Sequence, residues 1–339
     1  MSVYVVTGAT GFIGWTVTRK LLSMGHDVRC PVRNAEKAKR LAEEGAQVRE
    51  VDYDDEAALV RVMEGADHVI HLAGATKART RQLFWQANEG LGEKVLTACS
   101  QLDSSPVVIL VSSVAASGPS LHHAPRSEAE VPQPVSEYGR SKLAGERLGA
   151  KFAATVPVSI VRPGIVFGGD DRLTLEMFKS IRRFRTHVSA GWKRRQFSLI
   201  FSDELTDLLI AISHSGERLP VPGTSGDKSG YGIYNACRPE SPTFPELGLL
   251  VAKSMGLRGV LNIRLFQPLP QLVGLSGDCF SWLTGKPAFL NSDKIRESLA
   301  DSWIFDGAKA AGQFGFQPEI PLLEKFEEVT LGYRKKGWL

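Results

Sequence analysis

The chain has 339 residues, of which 43% are hydrophobic and 23% charged, a balance typical of a globular protein rather than a disordered one. With 41 Lys and Arg against 37 Asp and Glu, the formal net charge is +4, too small an excess to indicate nucleic-acid binding. The four cysteines show neither metal-ligand spacing nor a disulfide framework, so we expect no metal site and a reducing, cytoplasmic location. They are Cys30, Cys99, Cys237 and Cys279.

The apolar segments of the chain do not predict membrane insertion. The N-terminus, MSVYVVTGATG, lacks a charged leader and predicts a first strand rather than a signal peptide. The most apolar late stretch, residues 261–290, is interrupted by Arg264, Asp278, Lys286 and several prolines and glycines. We therefore expect no integral membrane segment.

Predicted strands and helices alternate through the first half of the chain. The strands are expected over residues 3–6, 26–32, 47–52, 67–73, 106–113 and 158–166. The helices are expected over residues 12–24, 36–44, 56–64, 81–102 and 138–154. This alternation favours an α/β fold with a parallel, doubly wound sheet of the Rossmann type.

The regular alternation of predicted strands and helices ends after Gly168. Helices are expected over residues 174–183, 203–213, 243–255, 292–300 and 322–333, with short strands over 197–201, 232–235 and 260–265. This pattern predicts a smaller, mostly helical C-terminal cap that binds substrate. The predicted domains are a cofactor domain over 1–168, rejoined by about residues 197–235, and a cap over 169–196 and 236–339.

A glycine-rich loop, TGATGFIG, spans Thr7 to Gly14 between the first strand and the first helix. Glycine at positions 8, 11 and 14 permits a tight turn, a close approach of the backbone to a pyrophosphate, and close packing of helix on strand. The helix N-terminus would then face the diphosphate with free N–H groups. The residues expected at this cofactor site are Gly8, Thr10, Gly11, Phe12, Ile13 and Gly14.

The end of the second predicted strand favours NADP(H) over NAD(H). An NAD site usually has an acid there, whereas Arg33 stands at this point and Lys37 follows one helical turn later. A guanidinium matches a phosphate in a bidentate way, so both residues are candidates for the 2′-phosphate. The alternative is that Arg33 is a solvated loop charge.

Tyr138 and Lys142 are four residues apart at the start of a predicted helix and so share one face. A lysine ammonium beside a phenol is expected to lower the phenol's pKa and to make Tyr138 a proton donor and acceptor near neutral pH. Ser113 ends the fifth predicted strand, at the edge where doubly wound sheets place their chemistry. Its hydroxyl can orient a reacting oxygen.

In these motifs, and in their order, the chain resembles the extended short-chain dehydrogenase/reductase superfamily, which contains nucleotide-sugar epimerases, 3β-hydroxysteroid dehydrogenases and dihydroflavonol reductases. The resemblance covers nearly the whole chain. Its segments are TGATGFIG (7–14), HLAG (71–74), VSSVAASG (111–118), YGRSK (138–142) and RPGIVFG (162–168).

The resemblance implies a role for each matching position. Tyr138 is expected to be the catalytic acid/base, Lys142 its partner and ribose ligand, and Ser113 the substrate-orienting hydroxyl. Asn88 matches an asparagine of the long helix, although its surroundings read NEGLG instead of NVxGT, which leaves its role open. The further positions implied to line the cofactor are Asp52, Tyr53, Leu72, Ala73, Gly74, Ser112, Pro163, Gly164 and Val166.

Departures from the superfamily's patterns bear on the substrate. The segment SSV at 112–114 lacks the Thr, Asp and Glu that its dehydratases typically carry, which disfavours sugar dehydration. The turn FSDEL at 201–205 resembles that of UDP-sugar epimerases, but Gln196 stands at their arginine position, with Arg195 beside it. The segment RQFSLIFSDEL is closer to the hydroxysteroid-dehydrogenase-like branch.

Two groups of side chains leave the substrate's chemistry open. A basic cluster predicts either a phosphate-binding surface or, as the favoured interpretation, a solvated helix face. It comprises Arg182, Arg183, Phe184, Arg185, Trp192, Lys193, Arg194, Arg195 and Phe197. An apolar group is expected in the core of the cap, with a lipophilic pocket as the alternative. It comprises Leu269, Leu272, Val273, Phe280 and Trp282.

We therefore expect an NADP(H)-dependent oxidoreductase that interconverts a secondary alcohol and a carbonyl by hydride transfer on a phosphate-bearing or lipophilic small molecule. The alternative is a nucleotide-sugar epimerase with tightly held NAD(P). A third hypothesis, a non-catalytic cofactor-sensing protein, does not require Ser113, Tyr138 and Lys142. The resemblance also implies a homodimer formed through the helices that flank the sheet.

Overall fold

The computed structural model describes residues 1–120, 124–191, 193–224, 226, 228–285, 288 and 291–339. Within these ranges no helix has the length and apolar character needed to cross a bilayer. The same residues hold no group of three or more His, Cys, Asp or Glu side chains arranged to bind a metal ion.

The strands of the described residues fall into one large sheet and two small ones. They are β1 (Val3–Thr7), β2 (Asp27–Val32), β3 (Gln47–Glu50), β4 (His68–His71), β5 (Val107–Val111), β6 (Val158–Pro163), β7 (Ile165–Phe167), β8 (Thr186–Ala190), β9 (Leu199–Phe201), β10 (Ile233–Ala236) and β11 (Leu261–Leu265). The large sheet has the order β10-β6-β5-β4-β1-β2-β3, and all its neighbours pair in parallel. This confirms the predicted doubly wound α/β fold.

Helices cover both faces of the large sheet and build the cap. They are α1 (Phe12–Ser23), α2 (Lys39–Glu43), α3 (Glu56–Met63), α4 (Arg81–Trp85), α5 (Leu91–Ser100), α6 (Val114–Ser117), α7 (Glu137–Phe152), α8 (Arg172–Phe184), α9 (Ser202–Ser215), α10 (Phe244–Ser254), α11 (Leu269–Thr284), α12 (Ser292–Leu299), α13 (Ala308–Phe314) and α14 (Leu322–Lys335). A 3-10 turn (Ala35–Ala38) precedes α2, and a π-helical turn (Gln86–Gly90) joins α4 to α5.

Alternate side chains of the central strands enter two separate apolar layers, because successive residues of a strand face opposite sides. On one side of the sheet, Tyr4 of β1 packs in a cluster with Leu21 of α1 and Leu208 of α9. On the other side, Val5 belongs to a cluster that includes Leu96 of α5. Because these strands are buried on both faces, their sequences are nearly continuous runs of apolar residues.

The cap has a core of its own. Phe178 of α8, Val251 of α10 and Phe326 of α14 are fully buried there. The parallel pair β8–β11 lies beside it, and the pair β7–β9 leads from the large sheet toward it. The strand predicted over 232–235 returns to the large sheet as β10, at the edge next to β6.

Two predicted elements are divided in the structure. The strand predicted over 158–166 is divided into β6, which ends at Pro163 and pairs with β10, and β7, which pairs with β9. Gly164 lies between them, where a Cβ would stand 2.5 Å from the Ser198 carbonyl oxygen. The helix predicted over 81–102 is interrupted by the π-helical turn, which contains Asn88.

The cap also contains elements that the sequence does not predict, namely β8, α11 and α13. The expectation that the apolar group of α11 belongs to the core of the cap is wrong. Leu269, Leu272, Phe280 and Trp282 are all exposed, and Val273 is only partly buried.

Candidate active site

The glycine loop forms a cradle between β1 and α1. Gly8 has φ of +71°, and a Cβ there would stand 2.7 Å from the Ala73 amide nitrogen, so only glycine fits the approach of the two loops. Gly14, inside α1, lies so close to the Gly8 carbonyl oxygen that a Cβ would overlap it. Gly11 is the N-cap residue of α1, and it and Thr10 are exposed, which leaves the first helical N–H groups open to a ligand.

The two apolar residues of the loop, Phe12 and Ile13, are partly buried. Phe12 faces Gly168 at the end of β7, where a Cβ would stand 2.8 Å from the phenyl ring. Ile13 packs against the apolar layer of β1. These contacts fix the start of α1 relative to the sheet.

The loop after β4 closes the gap between the glycine loop and α7. Thr7 accepts a hydrogen bond from the Ala73 amide at 3.1 Å and bonds to His71 at 2.9 Å. A Cβ on Gly74 would stand 3.4 Å from the Lys142 ammonium nitrogen. The structure thus brings together residues predicted for the cofactor and for the chemistry; Leu72, which precedes them, is partly buried.

Asn88 anchors this loop. Its amide group pairs with both backbone groups of Ala75, accepting from the N–H at 2.9 Å and donating to the carbonyl at 3.0 Å. It also donates to the Ser141 hydroxyl on α7 at 3.0 Å. Although its sequence surroundings differ from the superfamily's pattern, the side chain holds the β4 loop against α7.

The predicted adenine end of the site lies where β2 and β3 end. Arg33 and Lys37 are exposed, and the Arg33 charge is close enough to Tyr53 to act on its pKa. Asp52 is exposed and accepts a hydrogen bond from the Asp54 amide at 3.0 Å. Tyr53 is buried, with its hydroxyl donating to the Pro31 carbonyl at 3.2 Å. Its side chain therefore supports the β2 end from inside the core.

Ser113, Tyr138 and Lys142 meet at the carboxyl end of β5. The Ser113 side chain lies near enough to the Tyr138 phenol to act on its pKa, and the Lys142 ammonium donates to the Val111 carbonyl at 3.0 Å. Ser113 also caps α6, because its hydroxyl accepts from the Ala115 amide at 3.2 Å. The three side chains predicted from widely separated motifs thus form one compact group.

Burial has the largest effect on the pKa values of Tyr138 and Lys142. It raises the pKa of Tyr138 to about 12, against the lowering effect of the nearby Ser113 side chain, and the charge of Glu297 raises it further. Burial lowers the pKa of Lys142 to about 8, against the opposing charge of Glu146. The expected net lowering of the phenol's pKa is therefore not found in this arrangement, because burial outweighs the contacts that lower it.

A buried ion pair lies beneath Lys142. Both carboxylate oxygens of Glu146, one helical turn beyond Lys142, accept from the Arg162 guanidinium at 2.9 and 2.7 Å. Ser112 donates to the same carboxylate at 2.6 Å. Ser112 thus acts as an internal support rather than as an open cofactor contact, and the sequence analysis identified neither Glu146 nor Arg162.

Residues of α12 hold the start of α7. Asp293 accepts hydrogen bonds from the backbone N–H groups of Glu137, at 2.8 Å, and Tyr138, at 3.3 Å. Glu297 accepts from the Ser136 hydroxyl at 2.6 Å. A carboxylate at a helix N-terminus is favoured by the helix dipole. The cap therefore fixes the helix that carries Tyr138, through contacts that no local sequence signal indicates.

The segment after β6 is built from close backbone contacts. Gly164 donates its N–H to the Ala236 carbonyl at 3.1 Å, and the Ile165 amide donates to the Ser198 carbonyl at 3.0 Å. Pro163 is buried, while Val166 is partly buried against the β1 layer.

A cavity of about 750 Å³ lies between the start of α7 and the helices α11 and α12. Most of its lining is apolar: Pro134, Val135, Leu275, Ile295, Leu299 and Ala300. Val135 and Ala300 pack in the same cluster as Tyr138. Arg140 and Arg296 also line the cavity, and each is paired with a carboxylate, at 2.8 and 3.3 Å.

The basic cluster predicted from the sequence does not form one site. Arg195 donates to the backbone carbonyls of Ala190, Leu299 and Ala300 at 2.6 to 3.0 Å. Lys193 and Arg194 form surface ion pairs, and Trp192 lies outside the described residues. The remaining members, Arg182, Arg183, Phe184 and Arg185, are exposed around the end of α8, while Phe197 is partly buried.

Comparison with known proteins decides the family. The model of the NAD dependent epimerase/dehydratase family matches residues 4–221. The chain belongs to this family. Membership places the chain in the extended short-chain dehydrogenase/reductase superfamily and makes it an NAD(P)-dependent oxidoreductase or epimerase.

Proteins similar to this chain include both reductases and epimerases. The chain is 30% identical over 337 residues to the ceramide reductase of Caulobacter vibrioides, covering 99% of this chain and 96% of the relative. The sterol-4-alpha-carboxylate 3-dehydrogenase of Dictyostelium discoideum is 25% identical over 198 residues, covering 56% of this chain and 60% of that one. The UDP-glucuronic acid 4-epimerase of Bacillus cereus, solved with NAD, shares the fold with a TM-score of 0.75 and 19% identity, covering 99% of this chain and all of that one.

Proposed function

We propose that this protein is an NADP(H)-dependent reductase that converts a carbonyl into a secondary alcohol. The observation that carries the proposal is the convergence of three side chains: Ser113 lies near enough to the Tyr138 phenol to act on its pKa, and the Lys142 ammonium lies beside Gly74 of the loop after β4. A proton donor, an orienting hydroxyl and a cation thus lie together at the carboxyl edge of the sheet, where doubly wound folds bind their ligands.

The residues present fit a nicotinamide dinucleotide. The cradle of Gly8, Gly11 and Gly14 leaves backbone N–H groups and the positive end of α1 open to a diphosphate. Arg33 and Lys37, exposed after β2, would hold the 2′-phosphate that distinguishes NADP(H) from NAD(H). When bound, the reduced cofactor supplies the hydride.

The side chains of the site would then position the substrate and transfer one proton. Ser113 donates a hydrogen bond to the substrate carbonyl oxygen and orients it toward Tyr138. The phenol, whose pKa is raised to about 12, is protonated at neutral pH and donates its proton to the developing alkoxide. Lys142, while protonated, stabilises the phenolate that remains.

We also propose a lipophilic substrate. The cavity beside α7 has mainly apolar walls, and both of its arginines are already paired with carboxylates. Gln271 and Ser292 are its other polar lining residues. Walls that are mainly apolar suit a ligand whose bulk is hydrocarbon. The name of the relative that aligns with nearly the whole chain, ceramide reductase, agrees with such a substrate.

The alternative, a nucleotide-sugar epimerase, is supported by the fold shared with the Bacillus cereus enzyme. It is disfavoured by Arg195, the residue beside the epimerases' arginine position. Its guanidinium is bonded to three backbone carbonyls and so does not face a substrate pyrophosphate. A cytoplasmic location and a homodimer stay predictions.

The test is the stoichiometry of the cofactor. Purified protein is incubated with NADPH and a panel of long-chain and sugar-nucleotide ketones, and NADPH absorbance and alcohol product are measured together. We expect one NADPH oxidised per alcohol formed from a long-chain ketone, and loss of turnover in Tyr138→Phe but not in Tyr231→Phe, which alters an exposed phenol. Turnover of a sugar nucleotide with no net NADPH change would show an epimerase instead.

A further inference from the structure

Helix α11 carries its bulky apolar side chains on the outside of the protein. Trp282 is 74% exposed and Leu283 68% exposed, and every other large apolar residue of that face is at least about two-fifths exposed. That face also contains Leu269, Leu272, Leu275 and Phe280. Isolated exposed leucines are ordinary, but six large apolar residues exposed on one helix form an apolar surface of the kind that marks interaction sites.

The residues on the inner face of α11 explain why its bulky apolar side chains point outward. Its buried residues are Pro270, Gly274 and Ser281, and a Cβ on Gly274 would stand 3.0 Å from Ile295 of α12. The helix therefore seats small residues against α12 and cannot turn its leucines inward without separating the two helices. The outward direction of the apolar residues is a consequence of this packing.

The neighbouring strands extend the apolar surface along the chain. In the parallel pair β8–β11, Val188 stands opposite Ile263, so both side chains face the same side, and both are exposed. Leu261 is 64% exposed at the start of β11, and Phe266, exposed in the three-residue connection, leads into α11.

Cations surround the strand end of this surface. Arg182, Arg183 and Arg185 are exposed just before β8, and the Leu261 amide donates to the Arg185 carbonyl at 2.9 Å. Arg258 is exposed before β11. Neither the segment 177–202 nor the segment 247–277 contains an Asp or Glu. The strand end of the apolar surface is thus bordered by positive charge.

We propose that this surface, formed by β8, β11 and α11, docks on the face of an anionic lipid bilayer. Apolar side chains enter the boundary between headgroups and acyl chains, while arginines at the rim attract anionic headgroups. Charge complementarity favours an anionic bilayer over a second copy of this chain, because the segments 177–202 and 247–277 offer no Asp or Glu with which the arginines of a second copy could pair. Leu275 lies both on this face and in the lining of the cavity beside α7, so the docked face adjoins the candidate substrate site.

The test uses the full chain with vesicles and needs no substrate. Co-sedimentation compares vesicles of phosphatidylcholine alone with vesicles of equal parts phosphatidylcholine and phosphatidylglycerol. We expect binding to the anionic vesicles, weakened by salt, and about tenfold weaker binding for the double variant Leu272→Glu/Phe280→Glu. Met24→Glu is the control, since Met24 is exposed at the far end of α1, away from the cap.

Two further measurements distinguish docking on a bilayer from self-association and from loss of folding. Trp282 fluorescence should shift to the blue on anionic vesicles, and the shift should disappear in Trp282→Phe. Arg183→Glu/Arg258→Glu should lose binding while keeping the thermal midpoint of the wild type, since these side chains are exposed. Absence of vesicle binding, binding unchanged by Leu272→Glu/Phe280→Glu, or a stable dimer that this variant dissociates would overturn the proposal.

Discussion

Glu146 and Arg162 form a bidentate ion pair in the interior, with Nε to Oε1 at 2.9 Å and Nη2 to Oε2 at 2.7 Å. Their side chains are 5% and 1% exposed. The pair joins α7, which carries Tyr138 and Lys142, to β6 of the large sheet. It therefore links the candidate catalytic helix to the scaffold of the fold.

Removing one partner of this pair should be costly. Glu146→Gln leaves the Arg162 guanidinium buried without its counter-charge, and we expect a loss of about 3 kcal/mol in the free energy of unfolding. Urea denaturation measures the loss, and Glu43→Gln, at an exposed position of α2, should change it little. Equal stability of Glu146→Gln and wild type would show that the pair does not stabilise the fold.

Two glycine substitutions should act in opposite directions. Gly14→Ala places a Cβ against the Gly8 carbonyl oxygen, so the loop must move, and we expect weaker NADPH binding and lower stability. Gly312→Ala, in α13, meets no atom within 4 Å and should stabilise by about 0.5 to 1 kcal/mol through higher helix propensity. Calorimetry measures NADPH binding, and thermal melts measure the stability of both variants. Full NADPH affinity in Gly14→Ala would contradict the proposal that the glycine loop binds the cofactor.

Arg33 should set the choice between the two nicotinamide cofactors. Arg33→Ala removes a guanidinium that would bind the 2′-phosphate, so we expect about tenfold or greater loss of NADPH affinity with NADH affinity unchanged. The control is Arg147→Ala, which removes an exposed arginine from α7. Tryptophan quenching titrations give the dissociation constants for NADPH and NADH. If the ratio of the two constants were unchanged in Arg33→Ala, Arg33 would not bind the 2′-phosphate.

The pH dependence of reduction should follow Lys142. Because burial lowers the pKa of Lys142 from 10.5 to about 8, the ammonium loses its proton as pH rises through about 8. Reduction needs the charged form to stabilise the phenolate, so kcat/KM should fall above that pH, by about tenfold per unit. Lys142→Arg stays charged at high pH and should shift the fall of kcat/KM to higher pH. Lys151→Arg, at an exposed position, should leave the fall at the same pH. A flat profile from pH 7 to about 10 would contradict the assignment.

Local motifs were sufficient to predict the glycine turn between β1 and α1 and the meeting of Ser113, Tyr138 and Lys142 at the end of β5, while the roles of these residues stay predictions. Gly8, Gly14, Ser113, Tyr138 and Lys142 are each recognisable because a tight turn, a strand end or a helical face imposes its own spacing. The alternation of strands with helices likewise predicts the sheet. These features depend on neighbours a few residues apart, which is what a sequence displays directly.

Contacts between distant segments could not be predicted in this way. Asp293 caps a helix 155 residues earlier in the chain, and β8 pairs with β11, a strand that follows it only after the intervening helices α9 and α10. The prediction that the apolar group of α11 lies in the core was wrong because apolar side chains usually indicate core, whereas here Gly274 and Ser281 make the buried contacts. Periodicity reports that a helix has two faces, and tertiary packing decides which face is buried.

The proposed reduction is tested most directly by following the hydride itself. NADPH deuterated at the reactive carbon of the nicotinamide is supplied with a long-chain ketone, and the product is analysed by mass spectrometry. We predict one deuterium on the carbinol carbon of the alcohol for each NADPH oxidised, and no labelled product with Tyr138→Phe. An unlabelled alcohol, or turnover that leaves the deuterated NADPH unconsumed, would contradict hydride transfer from NADPH to substrate.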